Sequence, residues 1–222
     1  MPALIGKLGK SLRTQGLWRT CKRVGGHLAY LRNRWIDRGF DRRHGTDTSG
    51  VIASSELQLR GEHAAGANDY EPIQLPVFRA IMRDLPLDHA RYAFVDFGSG
   101  KGRALLLAAQ YPFRRIIGVE LSPVLHAIAV RNAARSERHI ELHCGDALAY
   151  PIPEGDLVCF LYNSFGRALV EKMIRNLEAA YARRRRRIFV VYRNPVCGDA
   201  FERAGFMHTV AVRPEYRIYR TH

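Results

Sequence analysis

Cysteine is sparse: four residues in 222, at 21, 144, 159 and 197, with no C-x-x-C pair among them. That spacing excludes a zinc ribbon and a disulfide framework, and suits reduced thiols in the cytosol. No apolar run reaches the length of about 18 residues that a spanning helix needs, so no transmembrane segment is expected. No compact apolar segment with a small-residue cleavage site opens the chain, so no secretory signal is expected either. The nine histidines are dispersed. His139 and His143 fall in a strand-like segment and make no ligand set, so no metal is expected. G-x-x-x-x-G-K-[ST] does not occur, which excludes a P-loop. Acids are also scarce, 21 against 35 Lys and Arg, for a formal charge of +14.

The excess charge is unevenly placed. Residues 1–43 carry eleven basic and two acidic side chains, and the other 179 residues carry 24 and 19. Apolar residues recur in this basic segment at spacings of three and four, which predicts an amphipathic helical arm broken at Gly16, Gly25 and Gly26. Three readings of the arm stand open: packing on the domain, lying on an anionic membrane surface, or contacting nucleic acid. The expected location is cytoplasmic, or peripheral at the membrane through residues 1–43.

Residues 44–69 are polar and rich in Gly, Ser and Ala, and read as a linker or lid. A helix is expected from about Pro76 to Leu85. From Tyr92 short apolar runs alternate with helical patterns. Strands are expected at Ala93–Phe97, Arg115–Glu120, Ile140–Cys144, Leu157–Tyr162 and Arg187–Tyr192, then at Phe206–Val212 and Tyr216–Tyr219. Helices are expected at Gly102–Gln110, from Ser122-Pro123 to about Ala134, across Leu169–Ala180, and at Ala200–Ala204. The fold class is therefore α/β: a Rossmann-like three-layer sandwich with a mostly parallel seven-stranded sheet and an antiparallel C-terminal hairpin. The expected division is 1–43 arm, 44–69 linker or lid, and 70–222 domain.

The stretch FVDFGSGKGR, Phe94–Arg103, joins the first strand to a helix at the place where a doubly wound sheet binds ligands. Gly98, Gly100 and Gly102, with Ser99 between them, leave the backbone N–H groups open to close approach. Asp96 ends the strand as a carboxylate in the crevice. Glu120 ends the second strand, where an acid grips a ribose diol, and Asp146 follows the third strand, suited to an adenine amino group. The ligand expected from this set is nucleotide-like. Arg103 stands where the dinucleotide pattern needs its third glycine. An aspartate in the crevice suits a cationic amino acid better than a pyrophosphate.

VDFGSGKG (Val95–Gly102), GVELS (Gly118–Ser122), CGDA (Cys144–Ala147) and LYNSF (Leu161–Phe165) resemble the successive motifs of class I S-adenosylmethionine-dependent methyltransferases, over about Tyr70–Tyr219. The resemblance implies S-adenosyl-L-methionine as cofactor. Gly98 and Gly100 then line its methionine part near Asp96, Glu120 holds the ribose hydroxyls, and Asp146 approaches the adenine. Tyr70-Glu71-Pro72 resembles, more weakly, the Tyr-x-Pro element that closes over the cofactor in small seven-strand protein-lysine methyltransferases.

Tyr162 and Asn163, at the end of the fourth strand, are the expected substrate contacts. LYNSF departs from the Asn/Asp-Pro-Pro-aromatic segment of enzymes that methylate base amino groups, since Ser164 replaces the first proline and one residue fewer precedes Phe165. Tyr192–Pro195, on the same rim, is expected to wall the substrate pocket. The methyl acceptor stays open among a protein lysine, RNA and a membrane-associated small molecule. Two other classes share the cofactor residues: a non-catalytic cofactor-binding protein docked on an anionic surface, and a nicotinamide oxidoreductase.

Overall fold

Residues 39–57, 69–162 and 166–222 are described in the computed structural model of the chain. The expected helical arm up to residue 38, residues 58–68 of the polar stretch, and Asn163 with Ser164 and Phe165 lie outside them.

The apolar runs form β1 (Ala93–Phe97), β2 (Arg115–Glu120), β3 (Glu141–Cys144), β4 (Leu157–Tyr162), β5 (Ile188–Arg193), β6 (Met207–Val212) and β7 (Tyr216–Thr221). Five helices follow the expected positions within one to three residues: α1 (Leu75–Asp84), α2 (Arg103–Ala108), α3 (Pro123–Ala133), α4 (Arg167–Arg183) and α5 (Gly198–Glu202). The α3 start forms as its sequence predicts: Pro123 opens the helix and the Ser122 hydroxyl accepts from the Leu125 N–H.

The sheet order is β3-β2-β1-β4-β5-β7-β6. The first five strands are parallel. Strand β7 runs antiparallel to both β5 and β6. The chain moves outward from β1 through β2 to β3, then returns to β4 on the other side of β1. The β1/β4 boundary is thus the topological switch point, and its carboxyl end is the ligand crevice of such a sheet.

Alternate residues of the buried strands feed two cores. Val95, Phe97, Cys159 and Val190 face α4 and α5. Phe94, Phe160 and Phe189 face α1 and α2. Phe94 stacks on Phe160 with ring centroids 5.8 Å apart, and Phe78 of α1 meets both rings. Burying each such ring contributes about 1.5–3 kcal/mol, so the strands that carry the crevice are anchored in a buried core. Tyr192 belongs to this interior. It is buried, packs edge-on against Phe201 of α5, and its hydroxyl is pushed up to about 12 by burial. This corrects the expectation that Tyr192 walls a substrate pocket, because strand alternation turns it into the core. Arg193 and Asn194 hold the rim instead, the latter with a left-handed φ of 53°. Among the described residues no helix is long and apolar enough to cross a membrane.

Candidate active site

The turn after β1 is tied to β2. The N–H groups of Gly98 and Ser99 both donate to the Val119 carbonyl, at 2.8 and 3.0 Å. Gly98, Gly100 and Gly102 have φ of 92°, 55° and 85°, a region that side chains with a Cβ rarely enter. Gly100 also makes room for the protein itself: a Cβ there would run into the Tyr70 ring, whereas one on Gly102 would only reach ordinary contact with Ala129 of α3, at 3.5 Å. The sequence reads the three glycines as opening the backbone to a ligand and letting the next helix start tightly; Gly100 in addition seats a tyrosine.

Glu120 is buried at the tip of β2 and braces this turn. One carboxylate oxygen accepts from the Gly100 N–H and the other from the Ser122 N–H, each at 2.7 Å. Burial pushes its pKa up, against the pull of those N–H groups. Each oxygen keeps a second lone pair for a ligand hydroxyl. Asp96 is 3% exposed, and its carboxyl group makes no hydrogen bond among the described residues. Burial, then the neighbouring Glu120, raises its pKa well above the ordinary carboxylate value. Two buried carboxylates beside left-handed glycines form an acidic crevice that a cationic ligand relieves. Asp146, half-buried after β3, accepts from the Leu148 N–H at 2.8 Å. The Gly145 N–H donates to the Glu120 carbonyl, which sets Asp146 beside the tip of β2. Ser99 is buried and its hydroxyl oxygen has no partner.

A strap built from residues 39–57 lies against this turn. Residues 39–44 are helical. The Asp41 carboxylate accepts from the hydroxyls of Thr46, Thr48 and Ser49 and from the N–H groups of Thr48 and Ser49. Burial raises its pKa, and the bonds from Ser49, Thr48 and Thr46 outweigh that and hold it below the ordinary value. Arg103, 2% exposed, donates to the Thr48 hydroxyl at 2.7 Å, sits 3.8 Å from Asp41, and lies over the Phe40 ring. Lys101 reaches Asp47 at 2.9 Å and the Ser49 carbonyl at 3.0 Å. Asn132 of α3 bonds the Asp47 backbone and the Lys101 carbonyl. Tyr70 closes the strap: its hydroxyl donates to the Thr48 carbonyl at 2.7 Å, and its backbone pairs with Ile52.

At the end of β4, Tyr162 is half-buried under the Arg193 guanidinium, 5.2 Å from its ring centre. Glu71 and Gln74 stand near its hydroxyl; burial first, and Glu71 next, push its pKa far upward. Arg193 donates to the Glu215 carbonyl at 2.8 Å and to Gln74 at 3.3 Å, joining the ends of β4 and β5 to the Tyr-Glu-Pro element. The fold thus gathers Asp96, Gly98, Ser99, Gly100, Gly102, Glu120, Asp146 and Tyr70 around one turn, with Tyr162 on the adjoining strand. The sequence reading missed Asp41, Thr48, Lys101, Arg103 and Asn132 as parts of the site. Only the hydroxyl run Thr46-Asp47-Thr48-Ser49 hinted at them, as a candidate cradle for a carboxylate.

Residues 94–184 match the family model described as methyltransferase domain. Among solved structures, 68% of the chain superposes on 51% of a predicted N6-adenine-specific DNA methylase from Listeria monocytogenes, at a TM-score of 0.51 and 14% identity. The chain spans about half of that protein's length. It also superposes over 69% of its length on 92% of a precorrin 8W decarboxylase from Methanobacterium thermoautotrophicum, at a TM-score of 0.50 and 19% identity. An RNA methyltransferase from Salinibacter ruber, solved with S-adenosyl-L-homocysteine, is 21% identical with a TM-score of 0.48, over 68% of this chain and 92% of that one. No curated protein matches the chain. At these identities the two likenesses with TM-scores of 0.50 and 0.51 show the fold alone.

Proposed function

We propose that this class I, S-adenosylmethionine-dependent methyltransferase domain delivers its methyl group to the side-chain amine of a protein lysine. The observation that carries the choice of acceptor is the Glu71–Tyr162 pair at the carboxyl end of β4, beside the cofactor crevice.

The crevice fits the cofactor. Asp96, whose buried carboxyl group makes no hydrogen bond among the described residues, suits the positive charge of its amino-acid part. Glu120 keeps lone pairs for the ribose hydroxyls, Asp146 adjoins it for the adenine, and Tyr70 closes the Gly100 side. Bound S-adenosylmethionine supplies a methyl group on a sulfonium, and its transfer leaves neutral S-adenosylhomocysteine. Because charge is lost in that displacement, the protein's main contribution is to hold the nucleophile in line.

An ε-amine arrives mostly protonated at neutral pH, with a pKa of about 10.4. Glu71 offers a carboxylate to the ammonium and, being exposed, a path for its proton to water. Tyr162, kept neutral, has its hydroxyl near Glu71, and Arg193 covers its ring. Arg193, the cation over the Tyr162 ring, has Glu215 as its own counter-charge at 3.9 Å. A carboxylate about 4 Å from an ammonium is worth several kcal/mol near a protein surface, whereas exposed arginines beyond about 8–10 Å are screened by salt.

The test is transfer of tritiated methyl from S-adenosylmethionine to lysine-bearing protein fractions, to RNA and to lipid, with wild type and Glu71→Gln. The proposal expects label on lysine, and a kcat/KM at least tenfold lower in the variant with cofactor affinity unchanged. Label on RNA or lipid, or an unaffected variant, would overturn the choice of acceptor.

A further inference from the structure

The sequence Arg183–Arg187 joins α4 to β5 at the amino-terminal edge of the parallel strands, opposite the cofactor crevice. Arg183, Arg184, Arg185 and Arg187 are exposed and Arg186 is half-buried. Two acids stand near. Glu154 lies 3.7 Å from Arg184 with both side chains in solvent, and Asp156 spends an oxygen on the Arg187 N–H. Arg220 adds a further cation on β7, opposite Phe189 near the start of β5. The buried Nε of Arg186 has no acceptor among the described residues. Five cations on consecutive residues with so little neutralisation repel one another.

From this placement we infer that the Arg183–Arg187 edge is a binding surface for the phosphate backbone of single-stranded RNA. All five cations are arginine, whose planar fork takes two phosphate oxygens at once, where lysine acts as a point charge. The Arg185 guanidinium lies on the Tyr181 ring, 4.5 Å from its centre, which holds it flat with one face outward for a base or ribose. An anionic membrane surface is the poorer fit. Interfacial binding uses apolar side chains beside the cations, and the large exposed apolar residues among those described are Val51, Val124, Val130, Val196 and Val212, none of them in this loop. The surface is independent of which group accepts the methyl.

The experiment measures binding of a fluorescent oligouridylate to the full chain over a salt series, beside vesicles of phosphatidylserine and phosphatidylcholine. The variants are R184E/R185E/R187E and R184K/R185K/R187K. Removing three phosphate contacts lowers the slope of log K against log salt by about 2, and affinity at 0.1 M salt by about 100-fold. The lysine variant keeps most of the slope but loses affinity. Both variants retain wild-type unfolding midpoints, because the altered side chains are in solvent. RNA binding unchanged in the charge-reversed variant, or vesicle binding that depends on the loop while RNA is not bound, overturns the inference.

Discussion

Replacing Asp41 by Asn tests how the strap is held over the glycine turn. The substitution keeps the shape and removes the charge. Both oxygens of Asp41 accept a backbone N–H, one from Thr48 at 3.0 Å and the other from Ser49 at 2.8 Å. Whichever way the Asn amide turns, its NH₂ meets one of those N–H groups, so a donor faces a donor. A hydrogen bond to a charged group is worth about 1.5–3 kcal/mol, and Arg103 also loses its nearby counter-charge. Strap opening should therefore become easier by about 2–4 kcal/mol. That corresponds to roughly 30- to 1,000-fold faster exchange of protected amides. The assay is amide hydrogen exchange resolved to the Thr48, Ser49 and Tyr70 N–H groups, with β4 and β5 as internal controls. Faster exchange confined to the strap and Tyr70 is the expected result. Unchanged protection there, or equal loss throughout the sheet, would refute the argument that Asp41 anchors a local unit. The pH dependence has a definite sign. Asp41 has a lowered folded pKa, so its contribution is complete above the unfolded value near 3.8 and fades as pH falls through the folded one.

Asp96→Asn should stabilise the ligand-free protein at pH 7 while weakening S-adenosylmethionine binding. The raised folded pKa means that stability falls as pH rises above about 3.8, so the variant's gain in unfolding midpoint vanishes towards pH 4; a loss of stability at pH 7 would contradict this. Gly100→Ala should combine about 1–2 kcal/mol of left-handed backbone strain with displacement of Tyr70. In a double-mutant cycle with Tyr70→Ala the clash disappears and the strain remains, so additive unfolding free energies would rule out the contact.

The sheet was legible because its signals are local. Five apolar runs, the Ser122-Pro123 start and the turn at Arg213–Glu215 each carry their own pattern, and their alternation with helices followed by a hairpin implies a mostly parallel sheet with an antiparallel edge. The acids Asp96, Glu120 and Asp146 were legible because they stand at strand ends, where the topology makes neighbours of residues far apart in sequence. The strap was not. Asp47 meets Asn132 across 85 residues through two hydrogen bonds, and Arg103 meets Thr48 across 55 through one, and such contacts leave no periodic trace. Arg103 was read by its side chain's size, as a residue that breaks a glycine pattern, yet it is buried because Asp41, Thr48 and Phe40 receive it. Gly100 carries a second role that the sequence did not show, since a glycine that seats a tyrosine and one that meets a ligand look alike in sequence.

Calorimetric titration of the purified full chain with S-adenosylmethionine, S-adenosylhomocysteine and NAD, run in parallel, tests the central claim most directly. Micromolar binding of the first two with no heat from NAD is the predicted result. Binding of NAD alone, or of none of the three, would contradict a methyltransferase built on this crevice.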